Sequence, residues 1–262
     1  MVRRLLVVLL AGLGLPLLLP TVHADAAPPL LGGPRTAAAG CADVTIYGLR
    51  GSAQIDQTDP PMFGFQAAGV ARELGDRLEA DGLSVAFEGI AYSAPPAYST
   101  DVALVGAHSG ASQLMAAMRR TIQRCPESRL VPIGYSQGAA AVHFALSALE
   151  RPTLGNAGVA NAAAADATAA AILIADPLRR HDDGVPVLMD LGGNAPGEGL
   201  RADAATRVPA SFAGRVLSVC AVGDTVCSHV SDSTDFTVHT SAYVPESARR
   251  PITGWAAQEM GA

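Results

Sequence analysis

The sequence has few charged residues, few aromatic residues and no lysine. Charged side chains make up 16% and aromatic side chains 5% of the 262 residues, whereas hydrophobic residues make up 49%. A chain this apolar can bury enough surface to fold, so these proportions exclude intrinsic disorder for most of its length. The length fits one α/β domain that needs no metal to stabilise its core.

Clustered positive charge is also missing. All 18 basic residues are arginine, and 24 acidic residues give a formal net charge of −6. Nucleic acid is a poor partner for such a chain, because binding to phosphates needs clustered cations. We therefore expect no nucleic-acid binding.

The sequence has one long apolar run, and it lies at the N-terminus. Two arginines precede residues 5–19, and Val22 and Ala24 fit the −3 and −1 positions of a cleavage site, with Ala24 and Ala26 as a second option. The run is shorter than the ~20 residues that a membrane span needs. We predict a signal peptide over residues 1–24, a secreted or cell-envelope-associated protein without a stable membrane anchor, a flexible lead-in over residues 25–40, and one domain over residues 41–262.

Cysteines are few, and their number is even: Cys41, Cys125, Cys220 and Cys227. In an exported protein an even number suggests two disulfides, although four cysteines allow three pairings. Cys220 and Cys227 are close enough in sequence to close a tight loop, which leaves Cys41 for Cys125. A zinc site is the competing interpretation, and the lack of closely spaced cysteine or histidine pairs argues against it.

Apolar runs typical of strands alternate with helical stretches. This alternation predicts βαβ units, and hence a parallel sheet of five strands covered by helices on both faces. Residues 161–170 are nearly all alanine and fit either a helix or a loose loop, and residues 177–213 are predicted to loop over the sheet. The predicted strands cover residues 43–49, 84–90, 129–134, 171–175 and 215–220, and the predicted helices cover residues 64–80, 101–124 and 136–149.

The segment from Gly134 to Gly138 has the pattern G-x-S-x-G, with Ser136 at its centre. It lies between a predicted strand and a predicted helix, which is the context of a nucleophile elbow. The helix N-terminus at this turn favours a developing oxyanion. The alternative interpretation is a glycine-rich turn with an inactive serine.

A catalytic serine needs a base, and the base needs a carboxylate that orients it. In this type of fold the acid and then the base follow the serine along the chain, which favours Asp224 and His239. The alternatives are Asp176, Asp232 and Asp235 as the acid and His229 as the base. Of the remaining histidines, His108 and His143 are predicted to be surface or packing residues and His181 a loop residue.

An oxyanion hole needs two hydrogen-bond donors. The backbone N–H of Gln137, directly after the serine, is the first candidate. The second candidate is Ser52, in the loop that follows the first predicted strand.

These residues belong to a series of blocks that together resemble the cutinase family of secreted serine esterases. The last block resembles the base segment of the actinobacterial branch of that family. In order, the blocks are Cys41-Ala-Asp-Val with Arg50-Gly51-Ser52, Cys125-Pro126 with Gly134-Tyr-Ser-Gln-Gly-Ala-Ala140, Asp176-Pro177, Cys220-Ala-Val-Gly-Asp224-Thr-Val-Cys227, and His239-Thr-Ser-Ala-Tyr243.

The resemblance implies a compact α/β-hydrolase, a three-layer sandwich around a five-stranded parallel sheet with little or no lid. It implies that Ser136 is the nucleophile, Asp224 the acid and His239 the base, and it gives Asp176 a structural role. Ser52 and Gln137 become the oxyanion donors, and the disulfides become Cys41 to Cys125 and Cys220 to Cys227. The chain departs from the family at Ala53-Gln54, where a hydroxyl residue or glycine followed by glutamate is common.

The expected activity is hydrolysis of carboxylic esters, either cutin-like polyesters or short- and medium-chain acyl esters. No cofactor and no metal are expected, and the protein is expected to be a monomer. One alternative is a lipase or phospholipase that acts on cell-envelope lipids. The other is a secreted binding protein that has kept the hydrolase fold without its activity.

Overall fold

A parallel sheet runs through the part of the chain that the structure describes. The structure is a computed structural model, and it describes residues 40–96, 100–188, 197–203, 206–229 and 235–261. The predicted signal peptide and the lead-in up to residue 39 lie outside these ranges. The sheet has the order β2-β1-β3-β4-β6-β5, and every neighbouring pair is parallel. The strands are β1 (Val44–Leu49), β2 (Val85–Gly89), β3 (Arg129–Tyr135), β4 (Ala171–Ile174), β5 (Val187–Leu188) and β6 (Val216–Val219).

Helices connect the strands and cover both faces of the sheet. They are α1 (Phe65–Ala80), α2 (Thr100–Arg124), α3 (Gln137–Leu149), α4 (Gly155–Ala167), α5 (Thr237–Ser241) and α6 (Glu246–Glu259), with a 3₁₀ helix over Ala210–Arg215. In the described ranges none of these helices is both long and apolar enough to cross a membrane.

The three-layer architecture follows from alternation along the strands. Ile46 on β1 packs into a core with α1 and α6, whereas its neighbour Tyr47 packs into a second core with α2, α3 and α4. Successive side chains of a strand point to opposite faces, so each central strand contributes to both cores. This arrangement confirms the predicted α/β-hydrolase sandwich.

The five predicted strands are all present, and the structure adds one more. Strand β5, two residues long, pairs with β6 at the edge of the sheet, inside the region predicted to be loop. A strand this short has no periodicity to detect. The alanine-rich stretch forms the end of helix α4, and the structure adds the C-terminal helix α6.

Strands β1 and β3 are neighbours, and β4 lies between β3 and β6. Because all strands are parallel, their carboxyl ends lie at the same end of the sheet, which we call its carboxyl edge. The segments that follow β1, β3 and β6 carry Ser52, Ser136 and Asp224. Ligands of open α/β sheets bind outside this edge. The fold therefore directs the candidate site residues to one place.

Candidate active site

Ser136 lies in a sharp turn between β3 and α3. Its backbone has φ 55° and ψ −117°, which is a strained conformation for a residue with a side chain. The backbone N–H of Ser136 donates to the carbonyl of Ile174 on β4 at 2.8 Å, and its carbonyl accepts the N–H of Ala140 at 3.1 Å. These bonds hold the turn, and the Ser136 side chain remains partly exposed.

The second glycine of the motif allows α3 to begin against β1. A Cβ on Gly138 would come within 2.1 Å of the carbonyl oxygen of Leu49 and 2.7 Å of that of Arg50. Any side chain at this position would push the first turn of α3 away from the sheet. The G-x-S-x-G pattern therefore has the packing that an elbow requires.

His239 lies between Ser136 and Asp224. Its Nε2 is 3.0 Å from Oγ of Ser136, and its Nδ1 is 3.0 Å from both carboxylate oxygens of Asp224. Asp224 is fully buried, and His239 is 8% exposed. A hydroxyl, an imidazole and a carboxylate in this sequence of contacts can remove a proton from the hydroxyl and stabilise the charged imidazole that results.

Asp224 stays charged although it is buried. Burial by itself would raise the pKa of this carboxyl, but hydrogen bonds and the charge of His239, with further hydrogen bonds from Tyr243 and Val226, hold the pKa below its usual value. The N–H of Val226 donates to Oδ1 at 2.8 Å. The loop that carries Asp224 is closed by a disulfide between Cys220 and Cys227.

His239 is held from two sides. It belongs to the short helix α5, and its ring stacks on that of Tyr135 with centroids 5.0 Å apart. The Tyr135 hydroxyl donates to the backbone carbonyl of His239 at 2.8 Å. On the other side the ring of Phe236, 49% exposed, lies edge-on at 6.2 Å.

Both predicted oxyanion donors belong to segments that adjoin Ser136. Gln137 begins α3, so its backbone N–H belongs to the first helical turn, where no intrahelical acceptor exists. Ser52 follows Gly51, where a Cβ would come within 2.7 Å of the Tyr135 ring and 3.3 Å of Cβ of Ser136. Glycine at 51 thus lets the Ser52 loop lie against the nucleophile turn.

A chain of side-chain amides joins this loop to the helix that carries His239. The N–H of Gly51 donates to Oε1 of Gln54 at 2.7 Å, and Nε2 of Gln54 donates to Oε1 of Gln66 at 2.5 Å. Nε2 of Gln66 then donates to the carbonyl of Thr240 at 2.9 Å. The sequence marked Gln54 only as a departure from the family, and it contained no signal for Gln66, because these contacts span up to 174 residues.

Within the described residues, the structure brings none of the alternative acids or the alternative base to Ser136. Asp176 pairs with His143 at 2.8 Å, and the backbone of His229 bridges to Glu198. Asp235 accepts the N–H of Thr237 at the start of α5. Asp232 lies outside the described residues. Of the other histidines, His108 stacks on Phe144 and His181 is exposed beside Glu198.

The four cysteines form two disulfides, Cys41–Cys125 and Cys220–Cys227, which are the predicted pairs. The first joins the segment before β1 to the end of α2. Because each of these sulfurs is in a disulfide, none is available as a thiolate ligand for zinc. In the described ranges no group of three or more acidic, histidine or cysteine side chains is placed to hold a metal ion.

Comparison with known proteins gives consistent matches. The Cutinase family model matches residues 40–260. Cutinase CUT2 of Pyricularia oryzae is 28% identical over 190 residues, which are 72% of this chain and 69% of that protein. Both observations cover most of the chain, and they agree with the family that the residue blocks resemble. The branch of the family stays a prediction.

Solved structures share the fold. A cutinase-like protein from Cryptococcus sp. matches with a TM-score of 0.66 and 20% identity, over 86% of this chain and 98% of that one. The catalytic core domain of acetyl xylan esterase from Trichoderma reesei matches with a TM-score of 0.60 and 22% identity, over 84% of this chain and 99% of that one. With the family match, the conclusion is plain: this chain belongs to the cutinase family and is a carboxylic ester hydrolase.

Proposed function

We propose that the protein is a secreted serine esterase in which Ser136, His239 and Asp224 form the catalytic triad. The observation that carries this proposal is the pair of 3.0 Å contacts that His239 makes, one with the Ser136 hydroxyl and one with the Asp224 carboxylate. The strained backbone of Ser136 is a second support, because strain of this kind is typical of a nucleophile elbow.

In the first half of the reaction His239 Nε2 accepts the hydroxyl proton while Oγ of Ser136 attacks the ester carbonyl carbon. Asp224 accepts the Nδ1–H of His239 and stabilises the imidazolium that forms. The tetrahedral oxyanion is held by the N–H of Gln137 and by Ser52. The intermediate collapses to an acyl-enzyme, and His239 returns its proton to the departing alcohol.

In the second half, water replaces the alcohol. His239 removes a proton from the water as it attacks the acyl carbon, and the same donors hold the second oxyanion. Collapse of this intermediate releases the carboxylic acid and returns the proton to Oγ of Ser136. No cofactor or metal takes part in this scheme.

The proposed substrates are cutin-like polyesters or short- and medium-chain acyl esters. Two features support bulky or apolar esters: Ser136 is partly exposed, and Phe236 presents an exposed ring beside His239. The matched relative from Pyricularia oryzae is named a cutinase. A lipase or phospholipase would use the same triad on longer acyl chains, so chain-length preference separates the two activities.

The proposal extends to location and organisation. Two disulfides are typical of proteins that fold in an oxidising compartment. This supports export through a signal peptide over residues 1–24, followed by a lead-in over residues 25–40 and one catalytic domain over residues 41–262. We propose that this domain acts as a monomer.

The test is ester hydrolysis by the exported protein over a series of acyl chain lengths, beside Ser136→Ala. We expect the wild type alone to be active, and the variant to lose at least about 10³-fold in kcat, because attack by Oγ is abolished. An optimum at short or medium chains supports the esterase, and an optimum on emulsified long chains supports the lipase. A folded, oxidised wild type that hydrolyses no ester and resists a serine-directed phosphonate would favour the binding protein.

A further inference from the structure

Tyr243 is a second side chain, besides His239, that contacts the Asp224 carboxylate. It is fully buried, and its hydroxyl lies 2.5 Å from Oδ2 of Asp224. The hydroxyl oxygen of Tyr243 is also 3.0 Å from the backbone nitrogen of Ala221 and 3.5 Å from Sγ of Cys227. The hydroxyl therefore lies between the acid, the strand end that precedes it and the disulfide that closes its loop.

The direction of each hydrogen bond follows from what the groups can donate. The N–H of Ala221 can only donate, so the phenol oxygen accepts it. Cys227 is in a disulfide and has no proton to give. The single hydroxyl proton of Tyr243 is thus free for the Asp224 carboxylate, which can only accept. Burial, together with the charge of Asp224, raises the pKa of Tyr243 well above its usual value, so this donor stays protonated wherever the protein is folded.

The position of Tyr243 in the chain explains how one carboxylate receives both partners. Tyr243 follows His239 by four residues, across the end of helix α5. Ala242, between the helix end and Tyr243, keeps α-helical backbone angles, so Tyr243 leaves the helix on the same side as His239. One short segment therefore brings an imidazole and a phenol to the same carboxylate, and movement of that segment would alter both contacts together.

Two other ionisable side chains lie near this group. Tyr135 on β3 packs edge-on to Tyr243, with ring centroids 6.2 Å apart. Arg179, in the segment after β4, donates from Nη1 to the carbonyl of Cys227 at 2.9 Å. Burial raises the pKa of Tyr135 and lowers that of Arg179, and both groups keep one charge state over the pH range of an esterase assay. They do not titrate together with His239 and Asp224.

We propose that Tyr243 is a positioning residue of this active site, whose hydroxyl holds the Asp224 carboxylate in place and in its charged form and so helps to set the pH at which the enzyme becomes active. The inference rests on the proposed triad. Tyr243 acts through Asp224 and does not touch the reacting atoms. The sequence contained Tyr243 in the block that resembles the family's base segment, but gave it no role.

The sign of the effect follows from the charge of the pair. When His239 is neutral, the His239–Asp224 pair carries one negative charge, and when the pair gains a proton it is neutral overall. A donated hydrogen bond stabilises the negatively charged form more than the neutral one. Removal of the Tyr243 hydroxyl therefore favours the protonated pair, which cannot act as a base. Activity must then begin at a higher pH.

The experiment is the pH dependence of kcat/KM for the full exported protein on a soluble short-chain 4-nitrophenyl ester. We expect Tyr243→Phe to move the acid limb of the profile upward by roughly 0.5–1 pH unit, because the variant lacks one of the donors to a buried carboxylate. Tyr47→Phe is the matched control. Tyr47 is also fully buried, and its hydroxyl donates at 2.7 Å to Thr121, near the C-terminal end of α2 and away from the active site. We expect its acid limb to match that of the wild type.

A second variant covers the case in which Tyr243→Phe does not fold. Site-specific replacement of Tyr243 by 3-fluorotyrosine keeps the ring and the hydroxyl but makes the hydroxyl a stronger donor. The acid limb should then move to lower pH. A folded Tyr243→Phe protein with the wild-type acid limb, or a fluorotyrosine protein whose limb does not move down, would overturn the inference. Wild-type activity that requires Ser136 would leave the proposed function intact in that case, whereas activity in Ser136→Ala would reject the proposed function itself.

Discussion

The described part of the molecule contains two buried histidine–aspartate pairs with similar contact distances but different surroundings. His239 and Asp224 are 3.0 Å apart at the carboxyl edge of the sheet, and Nε2 of His239 meets the Ser136 hydroxyl. His143 and Asp176 are 2.8 Å apart, each only 1% exposed, inside the second core. In the described part of the chain, Nε2 of His143 has no hydrogen bond to a hydroxyl.

Helix α3 contacts both pairs, because Ser136, the partner of His239, lies at its start and His143 lies within it. Ser136 precedes its first turn, whereas His143 lies about two turns further along, ~10 Å away at 1.5 Å per residue. Ser136, at the start of the helix, is partly exposed beside backbone N–H groups that have no intrahelical acceptor. His143, further along the helix, is buried. A histidine–carboxylate pair is thus a base for a substrate only where the fold also supplies a nucleophile, an oxyanion site and access. Without these, the same pair only connects secondary-structure elements.

Exchange of each aspartate for asparagine separates the two roles most strongly. Asp224→Asn should lower kcat by roughly 10⁴-fold, because the amide does not stabilise the imidazolium and favours the wrong tautomer of His239. Asp176→Asn should leave kcat per folded molecule close to the wild-type value. Initial rates at saturating ester, with the folded fraction measured by circular dichroism, check both variants. Equal losses in the two variants would mean that the pairs do not differ as described.

The two disulfides extend the comparison, because one lies at the site and one does not. Cys41→Ser/Cys125→Ser opens a loop with a separation of 84 residues and should lower the free energy of unfolding by about 4–5 kcal/mol. Loss of the Cys220–Cys227 disulfide should lower it by about 2 kcal/mol, because that disulfide closes a separation of only 7 residues. Cys220→Ser/Cys227→Ser should instead lower kcat about tenfold, since the Asp224 loop becomes less rigid.

Thermal unfolding and kcat of both double variants at a temperature where each is folded test this expectation. Full activity in the Cys220→Ser/Cys227→Ser protein would show that the hydrogen bonds of Asp224 alone fix the loop.

The smallest expected effect is on the pH dependence of stability. Burial by itself lowers the pKa of His143, but the charge and hydrogen bond of Asp176 outweigh it, so the pKa in the folded protein is raised. The stability from this pair is therefore complete below the unfolded value of about 6.5 and is lost as pH rises through the raised folded value.

The variant that tests this is His143→Gln, which should lower the free energy of unfolding by about 1–3 kcal/mol through a broken buried hydrogen bond. Urea unfolding of wild type and variant should show the largest difference on the acid side, and a shrinking difference as pH rises. A difference that grows with pH would contradict the pairing, and Ser136-dependent activity should be retained throughout.

Much of the fold could be predicted because its signals are local. Each central strand is an apolar run bounded by turn residues, and the helices that follow have 3.6-residue periodicity. Strand β5 could not be found, since two residues have no period and their pairing with β6 depends on the loop that delivers them. Helix α6 was not predicted, although its buried residues Ala248, Ile252 and Ala256 recur at helical spacing.

Part of the candidate site has signals of the same local kind. The turn around Ser136 and the cysteine-bounded loop around Asp224 are continuous motifs, in which the residue types themselves require a sharp turn or a closed loop. The contacts of Tyr243 and Gln66 are different. Each depends on segments that are distant along the chain until the sheet brings them together.

By itself, the sequence determined the chain order of the five longer strands and of helices α1 to α3, the elbow at Ser136, the available acids and bases, and which cysteines were close enough to pair. Only the tertiary structure decided that His239 and not His229 meets Ser136, that Asp176 belongs to His143, and that Tyr243 shares Asp224 with His239. The physical reason is that local conformation depends on neighbouring residues, whereas these partnerships depend on how loops pack at the carboxyl edge of a parallel sheet.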